Sequence, residues 1–156
     1  MQIRTKLAPV LVAAILAFAS GQLAAIDTDP TPPPPSSGDY AAGRKAIEAR
    51  DWNGAIASLT KAAQRDSRNA DIQNLLGYAY RNSGQLDPAF KHYQRALQLD
   101  PRHLGAHEYI GEAYLMANDV AKAEEHLAQL RRYCTTAACD PYDDLRKKIE
   151  TYRARK

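Results

Sequence analysis

The sequence is poor in most residues that mark a dedicated chemistry. Two cysteines in 156 residues exclude a disulfide-dense scaffold and a four-thiolate zinc site, and leave room for one bridge. Charge of one sign is also scarce. The 21 basic and 18 acidic residues give a formal net charge of +3, far below the dense field that nonspecific phosphate binding needs, so nucleic acid is not an expected partner. No Gly-rich phosphate loop, nucleophile elbow or paired-carboxylate motif occurs. The chain is read as a non-enzyme with no cofactor and no metal. Its length suggests one domain of ordinary size held together by apolar packing.

Long hydrophobic runs are few. Residues 7–18 form an uncharged apolar run that is shorter than the roughly 20 residues of a spanning helix. Arg4 and Lys6 precede it, and Ala19 and Ala25 follow among small residues. This layout predicts a secretory signal peptide over residues 1–25, cleaved near Ala19 or Ala25; a retained anchor is the competing reading. Its removal leaves 19 basic against 18 acidic residues. Residues 26–39 hold five of the nine prolines and no apolar periodicity, which predicts an extended, semi-rigid linker, with a polyproline docking motif as the alternative.

What the sequence does contain is a repeat. Gly43, Gly77 and Gly111 are spaced by 34 residues, as are Ala55, Ala89 and Ala123. The same register aligns Ala42, Leu76 and Ile110; Trp52, Leu86 and Val120; and Leu59, Tyr93 and Leu127. Small residues at these columns suit helix crossings, where a larger side chain would force the axes apart. Helix-favouring residues fill the intervals, and Arg50-Asp51, Asn82-Ser83-Gly84 and Asn118-Asp119 supply turns. Six helices are predicted, over 40–50, 53–66, 70–82, 86–99, 104–117 and 120–133. A seventh follows Asp140-Pro141, where Tyr142, Leu145, Ile149 and Tyr152 recur at helical spacing.

The middle copy reads Leu76-Gly77-x-x-Tyr80, then Gly84, Ala89, Tyr93, Ala96 and Pro101. On these residues the chain resembles the tetratricopeptide repeat family, whose unit is a 34-residue helix-turn-helix. The outer copies depart from it, with Ala46 in the column of Tyr80 and Leu130 in that of Ala62 and Ala96. The resemblance implies an all-α, short right-handed solenoid. Its repeats would span 36–69, 70–103 and 104–137, with a capping helix in 138–156, and Gly43, Ala55, Gly77, Ala89, Gly111 and Ala123 would pack the crossings.

Cys134 and Cys139 flank a four-residue stretch between the last repeat and the capping helix. In an oxidising compartment they are expected to form a structural disulfide, contributing about 2 kcal/mol by loop entropy. A thiol-active or metal-handling pair is the alternative, and their spacing is not that of thioredoxin-like sites. His92 and His126 share a column, so their recurrence follows from the repeat. His103 and His107 are four apart without a third ligand.

What remains is a surface. The resemblance implies that the first helix of each repeat lines a concave groove, at Tyr40 and Arg44; Asn74, Tyr78, Arg81 and Asn82; and Glu108, Tyr109 and Glu112. Leu115 and Met116 occupy further matching positions. Such a groove would hold an extended segment, although about half of these residues would equally pack between helices. The family's clamp for a terminal carboxylate is present only in fragments. The expected function is therefore an exported protein-protein interaction module, a scaffold or assembly factor of the cell envelope that binds a partner protein or peptide. Leader plus repeat resembles bacterial envelope proteins of the family, which implies the periplasm, with no membrane contact after cleavage.

Overall fold

The computed structural model describes residues 37–135 and 138–155. The leader expected over residues 1–25 and linker residues 26–36 lie outside the described residues. Seven α-helices follow in order: α1 (Ser37–Glu48), α2 (Trp52–Arg65), α3 (Ala70–Asn82), α4 (Leu86–Leu99), α5 (Leu104–Met116), α6 (Val120–Tyr133) and α7 (Asp140–Ala154). No strand occurs among the described residues. The first six pair into three hairpins, α1 with α2, α3 with α4 and α5 with α6, and each hairpin packs on the next. The fold is an all-α solenoid of three helix-turn-helix units with α7 as its cap.

Local chemistry explains where the helices begin and end. Asp51, Asn69 and Asp119 accept from the backbone N–H of Gly54, Ile72 and Lys122, at 2.9, 3.2 and 3.1 Å, and so satisfy amides that a helix start leaves open. At α5 the cap is a histidine: the Ala106 N–H donates to His103 Nδ1 at 3.1 Å. Helix α1 begins at Ser37, three residues before its expected start. Asp39 sits in its first turn, where negative charge complements the helix dipole, and pairs at 2.6 Å with Arg65.

The three turns inside the hairpins are one structure used three times. Arg50, Gly84 and Asn118 all take positive φ, at 56, 82 and 62°. Their amides donate to Ile47, Arg81 and Leu115, while the next residues, Asp51, Gln85 and Asp119, reach back to the carbonyls of Ala46, Tyr80 and Tyr114 at 2.8–2.9 Å. This is the double bond of a Schellman cap.

The core divides into three clusters. The first, in α2 and α3, holds Ala55, Leu59, Ala62, Ile72, Leu76 and Ala79. The second joins Ala89 and Tyr93 of α4 to Ile110 and Ala113 of α5. The third joins Leu115, Ala123 and Leu130 to Leu145 and Ile149 of α7. The column glycines sit where helices touch. A Cβ on Gly43 would lie 2.5 Å from Leu59, and one on Gly77 would lie 2.6 Å from Tyr93. Ala55, Ala89 and Ala123 have no exposed surface.

The third copy breaks this arrangement. The register leads one to expect Leu127 against Gly111, but the residue 2.6 Å from a Cβ there is Leu145 of α7. Leu127 is only partly buried. The cap does not simply cover the last repeat; it inserts a side chain at that repeat's own crossing notch.

Candidate protein-binding face

The face shared by α1, α3 and α5 carries the residues singled out from the sequence. On α3, Asn74, Tyr78 and Arg81 follow at four- and three-residue steps, so they form one stripe. Glu108, Tyr109 and Glu112 on α5 lie beside it. Tyr78 and Tyr109 pack at a tilt of 57° with centroids 5.0 Å apart, and Trp52 meets Tyr78 edge-on at 6.1 Å. The Arg81 guanidinium lies 5.2 Å from the Tyr78 centroid and 5.5 Å from that of Tyr109, within cation-π range of both. All three rings remain partly exposed, so the helices present a continuous aromatic strip.

Beneath the strip lies an ionic network that the sequence reading missed. Arg81 donates to Glu112, and Lys148 of α7 donates to the other oxygen of the same carboxylate. One acid thus ties α3, α5 and α7 together. Asn74, Arg81, Glu108 and Glu112 are each at most 8% exposed and pack between helices, whereas Tyr40, Arg44, Tyr78, Asn82 and Tyr109 lie nearer to solvent. Asn82 also donates to the Tyr78 carbonyl at 2.8 Å. No signal in the repeat marked Lys148, because α7 lies outside the 34-residue register.

Burial and charge shift the protons here. Burial, with Glu112 beside it, pushes the Glu108 carboxyl up to about 7. Burial and then Glu108 push the Tyr109 hydroxyl up to about 12. At this face Asn74 Oδ1, Arg81 Nε and the Tyr93 hydroxyl are buried without a hydrogen-bond partner among the described residues.

The histidines are placed by the repeat. His92 stacks on Tyr80 and pairs with Gln73 at 2.8 Å, and His126 stacks on Tyr114 and pairs with His107 at 2.9 Å. Each member of the first trio is one period from its counterpart in the second. His103 and His107 diverge, since His103 reaches Asp71 at 3.0 Å. Among the described residues no group of three or more His, Cys, Asp or Glu could hold a metal ion. Cys134 and Cys139 face each other with Cα atoms 5.9 Å apart, within the span of a disulfide. No helix among the described residues is long and apolar enough to cross a membrane.

Comparison with known proteins agrees with this geometry. Two models of the tetratricopeptide repeat match, one over residues 70–103 and one over 89–143. Human protein O-mannosyl-transferase TMTC3 is 29% identical over 75 residues, 48% of this chain but 8% of that protein. Human anaphase-promoting complex subunit 7 is 30% identical over 81 residues, 52% of this chain and 14% of that protein. The chain thus matches a small part of these relatives, whose activities belong to the whole proteins. Among solved structures, the TPR domain of Sgt2 from Aspergillus fumigatus superposes with a TM-score of 0.69 at 22% identity, covering 80% of each chain. The TPR2B domain of yeast Sti1, in complex with pHsp70, gives 0.69 at 16% identity, covering 76% of this chain and 95% of that one. Repeat period, hairpin geometry, turn structure and these matches converge: residues 70–143 are tetratricopeptide repeats, a family whose repeats serve as protein-protein interaction modules.

Proposed function

We propose that this protein is exported to the bacterial periplasm and works there, without catalysis of its own, as a scaffold or assembly factor that binds a partner segment on the face of α1, α3 and α5. The observation that carries this reading is the strip of Trp52, Tyr78 and Tyr109. Aromatic rings that remain partly exposed beside a buried charge network offer apolar area at small entropic cost together with polar tips, a combination typical of binding hot spots. The leader layout of residues 1–25 supports export, and the facing of Cys134 and Cys139 suits a bridge formed in an oxidising compartment, where it would hold α7 against α6. No observation favours a thiol-active or metal-handling role over this one.

Affinity capture with cross-linking from the native envelope tests the reading. The full chain is expected to retain a partner that the Tyr78→Ala, Tyr109→Ala double variant loses by about tenfold or more, the loss of one to two hot-spot residues. Its melting midpoint should move by only a few degrees. Retention of the partner by the double variant would move the site off this face, and an uncleaved N-terminus in mass spectra would remove the export reading.

A further inference from the structure

We propose that the end of this face nearest α7 is a docking groove for an acidic protein segment carrying one apolar side chain. The proposal rests on the protein-binding reading above and names the chemistry of the ligand. A groove of about 520 Å³ opens between α3, α5 and α7. Its outer wall is a stripe of α7 and its C-terminal cap residue: Asp144, Lys147, Lys148, Thr151 and Arg155 line it, each three or four residues from another, which keeps them on one side of the helix. Leu145 and Ile149, on the other side, are buried in the third core cluster. The capping helix therefore has two working faces, of which the core uses one.

The groove's charges are not balanced internally. Four cationic and two anionic side chains line it. Glu112 is already shared by Arg81 and Lys148. Lys147 and Arg155 are exposed and have no ion-pair partner among the described residues, whereas Arg146 and Arg153, which do not line the groove, are matched to Asp143, Glu150 and Glu124. Unpaired positive charge is thus concentrated on the groove side of α7. Arg81, on the inner wall, also has its buried Nε without an acceptor. The apolar component comes from Leu115 and Met116. Met116 is 52% exposed, the only large hydrophobic residue so exposed among those described, and its unbranched thioether can adapt to varied apolar partners. Asp144 lies near the start of α7 and gives the groove a direction: the ligand's carboxylates belong toward Lys147 and Arg155, away from it.

A membrane surface fits this geometry less well. Anionic lipid favours an outward basic face, but here the free cations border a recess that also holds two carboxylates and an apolar floor. A peptide can place an apolar side chain in that recess and its acids on the rim.

The test uses the full chain and labelled peptides of about nine residues with both ends blocked, so that no terminal carboxylate takes part. One peptide has a central Leu among Glu and Asp, a second replaces Leu by Ala, and a third replaces the acids by Lys. The first is expected to bind, and each change, or the Lys147→Glu, Arg155→Glu variant, to weaken binding by about tenfold, with affinity falling as salt rises. Failure of the first peptide to bind, equal binding of acidic and basic peptides, or indifference to the double charge reversal overturns the proposal. If that variant still captures the native partner while Tyr78→Ala, Tyr109→Ala does not, the aromatic face stands and the groove alone is wrong. Co-sedimentation with phosphatidylserine vesicles that the charge reversal abolishes would assign the stripe to a membrane instead.

Discussion

His107 keeps its two ring nitrogens in different company. Nε2 lies 3.0 Å from the Pro101 carbonyl, which can only accept, so that nitrogen carries the proton. In the neutral ring Nδ1 is then the acceptor, and His126 must donate to it from its own Nδ1, 2.9 Å away. A proton added to His107 Nδ1 would remove that acceptor, and a proton added to either ring would place a charge in a largely buried site. Burial accordingly lowers both: His107 falls below the usual histidine range, and His126 drops to about 4, burial first and His107 second. The unfolded chain binds these protons more readily, so the stability tied to the pair is full above about pH 6.5 and is lost as pH falls toward 4. Asp100 acts to raise His107, while His103 acts to lower it. Glu108 has the opposite slope, since its raised value makes stability fall as pH rises through about 7. A difference curve isolates the histidines. Gln73 occupies the His107 column in the preceding repeat and pairs with His92, so His107→Gln should keep the bond and remove one buried imidazole. We expect its stability to stay within about 1 kcal/mol of the parent at pH 8 and its melting midpoint to decline less steeply between pH 6.5 and 4. Parallel melting curves for the two proteins would refute this assignment.

At the scale of the element, the hairpin turn shows what the repeat demands and how unevenly the sequence meets it. The left-handed position falls on Arg50, Gly84 and Asn118 in turn. Glycine occupies it without strain and asparagine with little, but arginine incurs the steric cost of its Cβ, about 1–2 kcal/mol. Arg50→Gly relieves that cost while loosening the unfolded chain by about 0.4–1 kcal/mol. A net gain of roughly 0.5–1 kcal/mol is expected, read as a rise of a few degrees in the melting midpoint. Gly84→Arg should lower the midpoint for the converse reason. The turns were legible in the sequence because Arg50-Asp51 and Asn118-Asp119 fall one period either side of Gly84-Gln85. The helices were legible because their crossings require small residues at a fixed spacing. The binding face was legible only in part. Tyr78 and Tyr109 could be placed on it from the register, but Glu112 is shared between Arg81 and Lys148, and a helix outside the register leaves no periodic trace of where it docks.

In a solenoid each unit touches only its neighbours, so stability is a sum of local terms and a defect at one end need not travel to the other. Helix α7 is where that principle can be tested. Leu145 is fully buried and fills the notch at Gly111, where Leu59 and Tyr93 fill the equivalent notches from within their own repeats. The last repeat therefore borrows its packing from the cap. Leu145→Ala removes that side chain and should cost about 2–5 kcal/mol, because the surrounding helices close only partly around the gap. The loss should not spread evenly. Helices α5, α6 and α7 share the third core cluster, whereas Leu59, Ile72 and Leu76 at the other end have a cluster of their own. Hydrogen exchange followed by mass spectrometry should show protection falling first and most in α5 to α7, with α2 and the start of α3 keeping nearly their parental rates. Leu127→Ala makes the control, since Leu127 shares its column with Leu59 and Tyr93 but is only partly buried; its effect should be smaller. If Leu127→Ala proves the more damaging, the register of the first two repeats extends into the third, and α7 is a cover instead of a component. If both changes lower protection uniformly from α1 to α7, the three units fold as one block, and the nearest-neighbour description of this solenoid fails.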